Sequence, residues 1–238
     1  MGRLRSVAER FAGRHFDHEV IILCVRWYLR FKLSLRDLVE MMAERGLSMA
    51  QTTIMRWVRH DAPEFEERWQ RFARAVGRSW RVDETDVKIR GEWRYLYRAV
   101  DRDGMTVDFR LSARRDVAAA TAFFGEAIQH QQHAPQTIPL DGYAASHRAV
   151  REMKADGWLP ADTQLRSSKD LNNLVEQDHR SVQQRIAVML GFKRSQHAAI
   201  TIAGIELMHR IRKKQFGLRH LGVRGAAAPA VWNAVLGA

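Results

Sequence analysis

Three acids stand where a carboxylate can do chemistry. Asp83 lies inside a strand-like run whose other residues, Val82 and Val87 among them, look buried. A charge in a strand interior is costly unless it is paired or bound to metal. Asp141 directly follows the short apolar run Thr137-Ile138-Pro139-Leu140 and precedes Gly142. Strand ends of this kind are where open α/β sheets place their sites. Glu176 falls in a helical pattern over 171–190 whose apolar stripe is Leu171, Leu174, Val175, Val182, Ile186 and Met189. Asn172, Glu176, His179 and Gln183 form a polar stripe beside it. Brought to one point, three carboxylates offer hard oxygen ligands to two divalent cations of the magnesium type. Two such ions, roughly 3.5–4 Å apart, activate an attacking oxygen and stabilise the leaving one in phosphoryl transfer. Taken singly, each acid reads as a surface or hinge carboxylate, and spacing alone does not prove convergence.

The elements that must position these acids are legible as patterns. Trp80 to Ile89, Trp93 to Val100 and Thr106 to Leu111 are rich in aromatic and β-branched residues, and Gly91 and Asp103-Gly104 separate them, which predicts three antiparallel strands. A helix over 116–131, a strand over 136–140, a helix over 146–156 and a strand near 163–166 follow, then long helices over 171–190 and 195–215. Hairpin strands followed by alternating helices and strands predict an α/β domain, a mixed sheet with flanking helices. Ahead of it, residues 17–31 and 34–45 read as helices, the second with Ser34 and Asp37 spaced as a capping box and Gly46 at its end. Ser48 and Gln51 offer a second capping box for a third helix running to about His60. Three short helices of this kind form a small all-α helix-turn-helix domain. With Ile54 and Val58 inward, its last helix turns Gln51, Thr52, Thr53, Arg56 and Arg59 outward, short polar and guanidinium groups suited to base edges and phosphates. The plain alternative is a helical domain with a solvated polar face. The expected organisation is a helix-turn-helix domain over 1–62, a linker over 63–79, a catalytic domain over 80–221 and a flexible tail over 222–238.

Charge bears on the partner. The chain has 238 residues and a formal net charge of +12, with 46% hydrophobic and 28% charged residues, a balance suited to a globular protein. Positions 1–79 hold 15 basic and 10 acidic residues, 80–168 hold 13 of each, and 169–238 hold 11 against 4. Two basic flanks around a neutral middle favour a polyanion, because counterion release supplies much of the affinity. No apolar run reaches the roughly 18 residues of a membrane span, and no apolar run follows the charges at Arg3 and Arg5, so neither a membrane partner nor a secretory signal is expected. The lone cysteine, Cys24, among Ile22, Leu23 and Val25, excludes an internal disulfide and suits a reducing compartment.

Across nearly the whole chain, from about His15 to Leu221, the sequence resembles the D-D-E transposases of bacterial insertion sequences, in the group called insertion sequence family six. The residues that carry the resemblance are Val25-Arg26-Trp27-Tyr28, Ala43-Glu44-Arg45-Gly46, Thr53-Ile54-Met55-Arg56-Trp57-Val58 and Trp80-Arg81-Val82-Asp83-Glu84-Thr85. Tyr95 to Asp101, Thr106-Val107-Asp108-Phe109, Asn172-Asn173, Glu176-Gln177-Asp178-His179-Arg180 and Met189 to Lys193 continue it. The resemblance implies a ribonuclease-H-like catalytic fold with Asp83, Asp141 and Glu176 as the catalytic and metal-binding triad, the last two with 34 residues between them. It implies two magnesium ions, with manganese able to substitute. The implied chemistry is hydrolysis at an element end to expose a 3′ hydroxyl, then attack of that hydroxyl on target DNA with no covalent protein–DNA intermediate. The implied partners are double-stranded DNA (terminal inverted repeats and target) and further copies of the chain, at least a dimer, in the cytoplasm and on the nucleoid when DNA-bound. Two positions depart from the family: Asp86 stands where Tyr is common, and Gln183 where Lys is usual.

Other residues rank lower. Glu84 points to the opposite strand face from Asp83 and reads as structural. His130 and His133 could by residue type be a metal pair, but without Cys or carboxylate company they read as a solvated helix end. His179, one turn after Glu176, and Arg180 read as auxiliary to the site along with Gln183, and Trp27 and Trp57 as core. Two competing functions remain: a catalytically inactive, sequence-specific DNA-binding derivative, and a metal-dependent nuclease that only hydrolyses.

Overall fold

The computed structural model of the chain describes residues 9, 11–140, 143–167, 173–189 and 191–238, with the side chains at 173–178 and 181 left aside. They fall into two compact units: Met1–Arg74 with Gln184–Leu190 and Arg194–Ala238, and Ala75–Gln183 with Gly191–Lys193.

The first unit is helical. Helix α1 (His18–Arg30) starts at Asp17, whose side chain accepts from Glu19 N, and buries Ile21, Ile22, Cys24, Val25, Tyr28 and Leu29. Helix α2 (Leu35–Ala43) carries the expected capping box between Ser34 and Asp37. It closes through Gly46, whose φ of 74° suits the left-handed position, as Gly46 N and Leu47 N donate to the carbonyls of Ala43 and Met42. Helix α3 (Gln51–Gln70) begins at Ala50 with no side-chain cap, so the second capping box, Ser48 with Gln51, does not form. Ser48 stands two residues ahead of the N-cap, and in the first turn Thr53 N donates to the Ala50 carbonyl instead. Nor does α3 stop near His60. It continues through Pro63, because Ile54, Trp57, Val58, Asp61, Ala62, Phe65 and Trp69 make one buried face along its length. Packing along that face outweighs the single backbone hydrogen bond that proline removes. The first half of the expected linker is therefore helix.

The remaining walls of this unit come from the C-terminal part of the chain. Helix α7 (Ser195–Arg212), expected to belong to the catalytic domain, packs on α1 and α3. A Cβ on its Gly204 would stand 2.7 Å from Leu29 Cδ1, so glycine permits the close approach of α7 to α1. The expected flexible tail contains helix α8 (Ala228–Gly237) with Trp232, Val235 and Leu236 buried. Trp232 meets the rings of Phe65 and Trp69 at 5.2 and 5.3 Å. Its Gly- and Ala-rich composition suggested looseness, but three large apolar side chains at helical spacing are enough to dock it.

The second unit is a five-stranded mixed sheet with helices on it. Strands β1 (Arg81–Ile89), β2 (Glu92–Val100), β3 (Thr106–Ser112), β4 (Thr137–Leu140) and β5 (Gln164–Ser167) lie in the order β3-β2-β1-β4-β5. The β1–β2 and β2–β3 pairs are antiparallel, and β1–β4 and β4–β5 parallel. The expected α/β class, a mixed sheet with flanking helices and an all-α part ahead of it, holds. The β1–β2 hairpin turns on Arg90 and Gly91, both at positive φ (54° and 84°), the geometry of a two-residue primed turn. Helices α4 (Val117–Gln131) and α5 (Ala144–Ala155) cover one face, where Trp80, Val82, Tyr97, Phe123, Phe124, Ile138, Leu140 and Val150 form the core. Helix α6 (Asn173–Ala187) contributes residues to both units. No helix among the described residues is long and apolar enough to cross a membrane.

Candidate functional site

Strand alternation splits the acids of β1 between two faces. Val82 joins the core under α4 and α5. Glu84 points the same way, its side chain 2% exposed, accepting from Arg115 Nη2 at 3.2 Å and from the Ser146 hydroxyl. It is a structural acid, as its position suggested. Asp83 and Thr85 occupy the other face. Asp83 pairs across the hairpin with Arg98, which is fully buried, and cross-strand partners share a face. Its Oδ1 accepts the backbone N–H of Glu84 at 2.9 Å, and its side chain is 15% exposed.

Helix α6 supplies the neighbour on this face. His179 Nε2 lies 3.6 Å from Asp83 Oδ2, and both ring nitrogens of His179 are buried without a hydrogen bond. Burial first, and then the charge of Arg98, push its pKa down to about 3, with a contact to the Asp83 backbone opposing. His179 is therefore a neutral imidazole at pH 7, and its approach to Asp83 is not an ion pair. A carboxylate oxygen beside an orphaned neutral nitrogen suits a divalent cation, or water bound to one, in donor chemistry. The fit extends as far as the described side chains do. Asp141 lies outside the described residues, and Glu176 belongs to α6 with its side chain outside them. Strand β4 ends at Leu140, in register with Val82. Among the described residues no three His, Cys, Asp or Glu side chains gather as a metal site.

Of the auxiliary residues, Gln183 Nε2 donates to Thr85 Oγ1, two residues along β1 from Asp83, so this departure from the family borders the carboxylate. Arg180 is exposed. Arg185, which also follows on α6, is 3% exposed, donates to the backbone carbonyls of Tyr28 and Leu33 and stacks on the Tyr28 ring. That role ties it to the first unit's backbone. His130 and His133 do not pair: His130 bonds Asp108 at 2.8 Å, and His133 packs on Trp80.

In the first unit, α2 and α3 follow one another across residues 44–50 and pack together. Gln51, Thr52 and Arg56 are exposed on the first turns of α3, and Thr53 and Arg59 are half-buried. Arg59 Nη1 lies 3.0 Å from His197 Nε2, which holds its guanidinium against α7. Trp57 is buried, with its ring edge-on to Phe16, as a core residue. Sequence reasoning passed over Arg98. Its signal was the Arg90-Gly91 turn, which fixes the register that sets Arg98 opposite Asp83.

Residues 77–215 match the family model described as the DDE domain, of the IS240 transposase type. The transposase for insertion sequence-like element IS431mec of Staphylococcus aureus strain Mu50 is 36% identical over 204 residues, which cover 86% of this chain and 89% of that protein. The transposase for insertion sequence element IS257 in transposon Tn4003, also from Staphylococcus aureus, matches with the same identity and coverage. Among solved structures, the catalytic core domain of BIV integrase is similar with a TM-score of 0.43 at 18% identity, covering 64% of this chain and 91% of that one.

Proposed function

We propose, on the premise that this chain belongs to the D-D-E transposases of bacterial insertion sequences, insertion sequence family six, that it binds the ends of its element, cleaves to expose 3′ hydroxyls and joins them to target DNA. The observation that carries this reading is Asp83, projecting from β1 on the face opposite the helix-covered core, beside the buried neutral His179. Asp83, Asp141 and Glu176 are the proposed ligands of two magnesium or manganese ions, which when bound activate the attacking oxygen and stabilise the leaving one. The protein's own part is to hold these carboxylates on a strand, a strand end and a helix, with His179 keeping its proton balance unchanged across neutral pH. The α3 residues Gln51, Thr52, Thr53, Arg56 and Arg59 read the element end. Two ends must meet for joining, so the acting species is at least a dimer.

Incubating the full chain with labelled element ends and magnesium tests this. Joined product supports the reading, cleavage alone makes the protein a nuclease, and binding alone makes it a DNA-binding derivative. Within the same assay, Arg56→Ala is expected to weaken binding to element ends by about 1–3 kcal/mol and relax preference at one base pair. Equal losses on random DNA would reduce Arg56 to a phosphate contact.

Gln183 supplies a second expectation. Its amide hydrogen-bonds Thr85 next to Asp83, where glutamine offers a dipole and lysine a point charge for phosphate. Gln183→Lys is expected to raise strand transfer and steepen the salt dependence of binding by about one counterion. With Arg185 engaged by the Tyr28 and Leu33 carbonyls, Arg180 is the remaining α6 cation able to stand in. An unchanged salt slope and unchanged joining in Gln183→Lys would show the departure to be silent.

A further inference from the structure

The first unit contains a cavity of about 1270 Å³ whose lining residues lie at both ends of the chain. Trp69, in the last turn of α3, is in its wall. At 1.5 Å per residue it stands about 20–25 Å along the helix from Arg56 and Thr52, well beyond the proposed recognition surface. Six cationic side chains line the cavity: Arg26 and Arg30 of α1, Arg74 after α3, and Lys214, Arg219 and Arg224 between α7 and α8. No Asp or Glu lines it, and among the described residues none of the six forms an ion pair with a carboxylate. The nearby Arg68, by contrast, is engaged by Glu64 and the Leu236 carbonyl.

Arg26 makes this a built site. It is 8% exposed, its guanidinium lies 5.3 Å over the Trp232 ring, and among the described residues it has no hydrogen-bond partner. Burial, and then the like charge of Arg30, lower its pKa to about 10, so it remains charged at neutral pH. Its guanidinium opens to the cavity and is engaged by no carboxylate or carbonyl among the described residues, so an anion entering the cavity can pair with it. The volume exceeds the roughly 300–1,000 Å³ of small-molecule pockets. Between the cations the wall is apolar, from Leu218, Val223 and Val231, which suits the deoxyribose faces that separate successive phosphates.

We propose that this cavity is a second DNA site, which takes a run of phosphodiesters by charge and shape without reading bases. The choice of DNA as the source of the phosphates rests on the function proposed above. The anion-binding chemistry does not.

The test measures binding of the full chain to three fluorescent probes: an element-end duplex, a random duplex and a random single strand, each over a salt series. In Arg30→Gln/Arg219→Gln/Arg224→Gln the salt slope on random DNA should fall by about 0.9 per arginine removed, close to three in all, with affinity down about tenfold or more. The ratio of element-end to random binding should stay as in the natural protein. Whether the duplex or the single strand loses the larger slope identifies which form supplies the phosphates. Arg26→Met should retain the unliganded Tm or raise it, while losing most of the Tm increase that random DNA gives the natural chain. An unchanged slope in the triple variant would overturn the proposal. So would a loss of end preference, which would assign these arginines to the recognition surface. Stabilisation by inorganic pyrophosphate that depends on Arg26, with DNA binding untouched, would overturn it in favour of a small polyphosphate site. A natural protein that fails to prefer element ends would count against the proposed function alone, since the slope comparison on random DNA stands without it.

Discussion

Asp83→Asn is expected to lower strand cleavage by roughly 10²–10³-fold while the fold and end binding survive. The substitution keeps the shape and one acceptor oxygen but removes the charge that would hold a divalent cation beside His179 on β1. Asp83 is 15% exposed and belongs to the second unit, whereas the proposed recognition residues of α3 belong to the first. Its neighbour gives the contrast. Glu84→Ala removes a buried acid that accepts from Arg115 and Ser146, so it should lower stability by about 1.5–3 kcal/mol. Cleavage per folded molecule should be little changed in that variant. Asp141→Asn and Glu176→Gln should reproduce the Asp83→Asn phenotype if the triad acts together. Cleavage by Asp83→Asn at the natural rate, or an equal catalytic defect in both β1 variants at a temperature where both are folded, would remove Asp83 from the chemistry.

Trp232→Ala is expected to destabilise the first unit by about 3–5 kcal/mol, the range for emptying a large aromatic from a core. Trp232 is 3% exposed, contacts Phe65 and Trp69 at 5.2 and 5.3 Å, and lies beneath the Arg26 guanidinium. Ending the chain after Ala227 should do at least as much, since it also removes Val235 and Leu236. Urea unfolding followed by tryptophan fluorescence and by DNA binding reads the effect. A midpoint that does not move in either variant would mean that α8 contributes nothing to the unit, as its composition alone suggests.

The strands and helices of the second unit were legible because each carries an unmixed period, and β1, β2 and β3 fell within a residue of their expected bounds. Asp83 stood out for the same reason, as a charge where the pattern demands an apolar or satisfied group. Two kinds of feature were not legible. The first is packing that overrides a local signal: a helix to about His60 and a linker from 63 were expected, yet the buried face from Ile54 to Trp69 carries α3 through Pro63. The second is pairing between distant segments. Nothing near Trp69 announces Phe216 or Trp232, and nothing in α7 announces that its Gly204 meets Leu29. The organisation into consecutive segments therefore divided a unit that the chain assembles from both ends. Within the site, the stripe of α6 was read from its spacing, and His179 stands against Asp83 in keeping with it. Its neutrality depends on burial and on Arg98, whose place required the hairpin register.

That assembly from both ends sets a timetable for the protein during its own synthesis. Trp69 leaves the ribosome 163 positions before Trp232, the ring it finally packs against. At about 5–20 residues per second the interval is roughly 8–33 s. For most of it α1 and α3 hold their apolar faces without α7, and for all of it without α8, to cover them. The whole of the second unit is synthesised within this interval, so its sheet has time to form before the helical unit is complete. A nascent or prematurely terminated chain would thus carry the sheet without a finished helical unit.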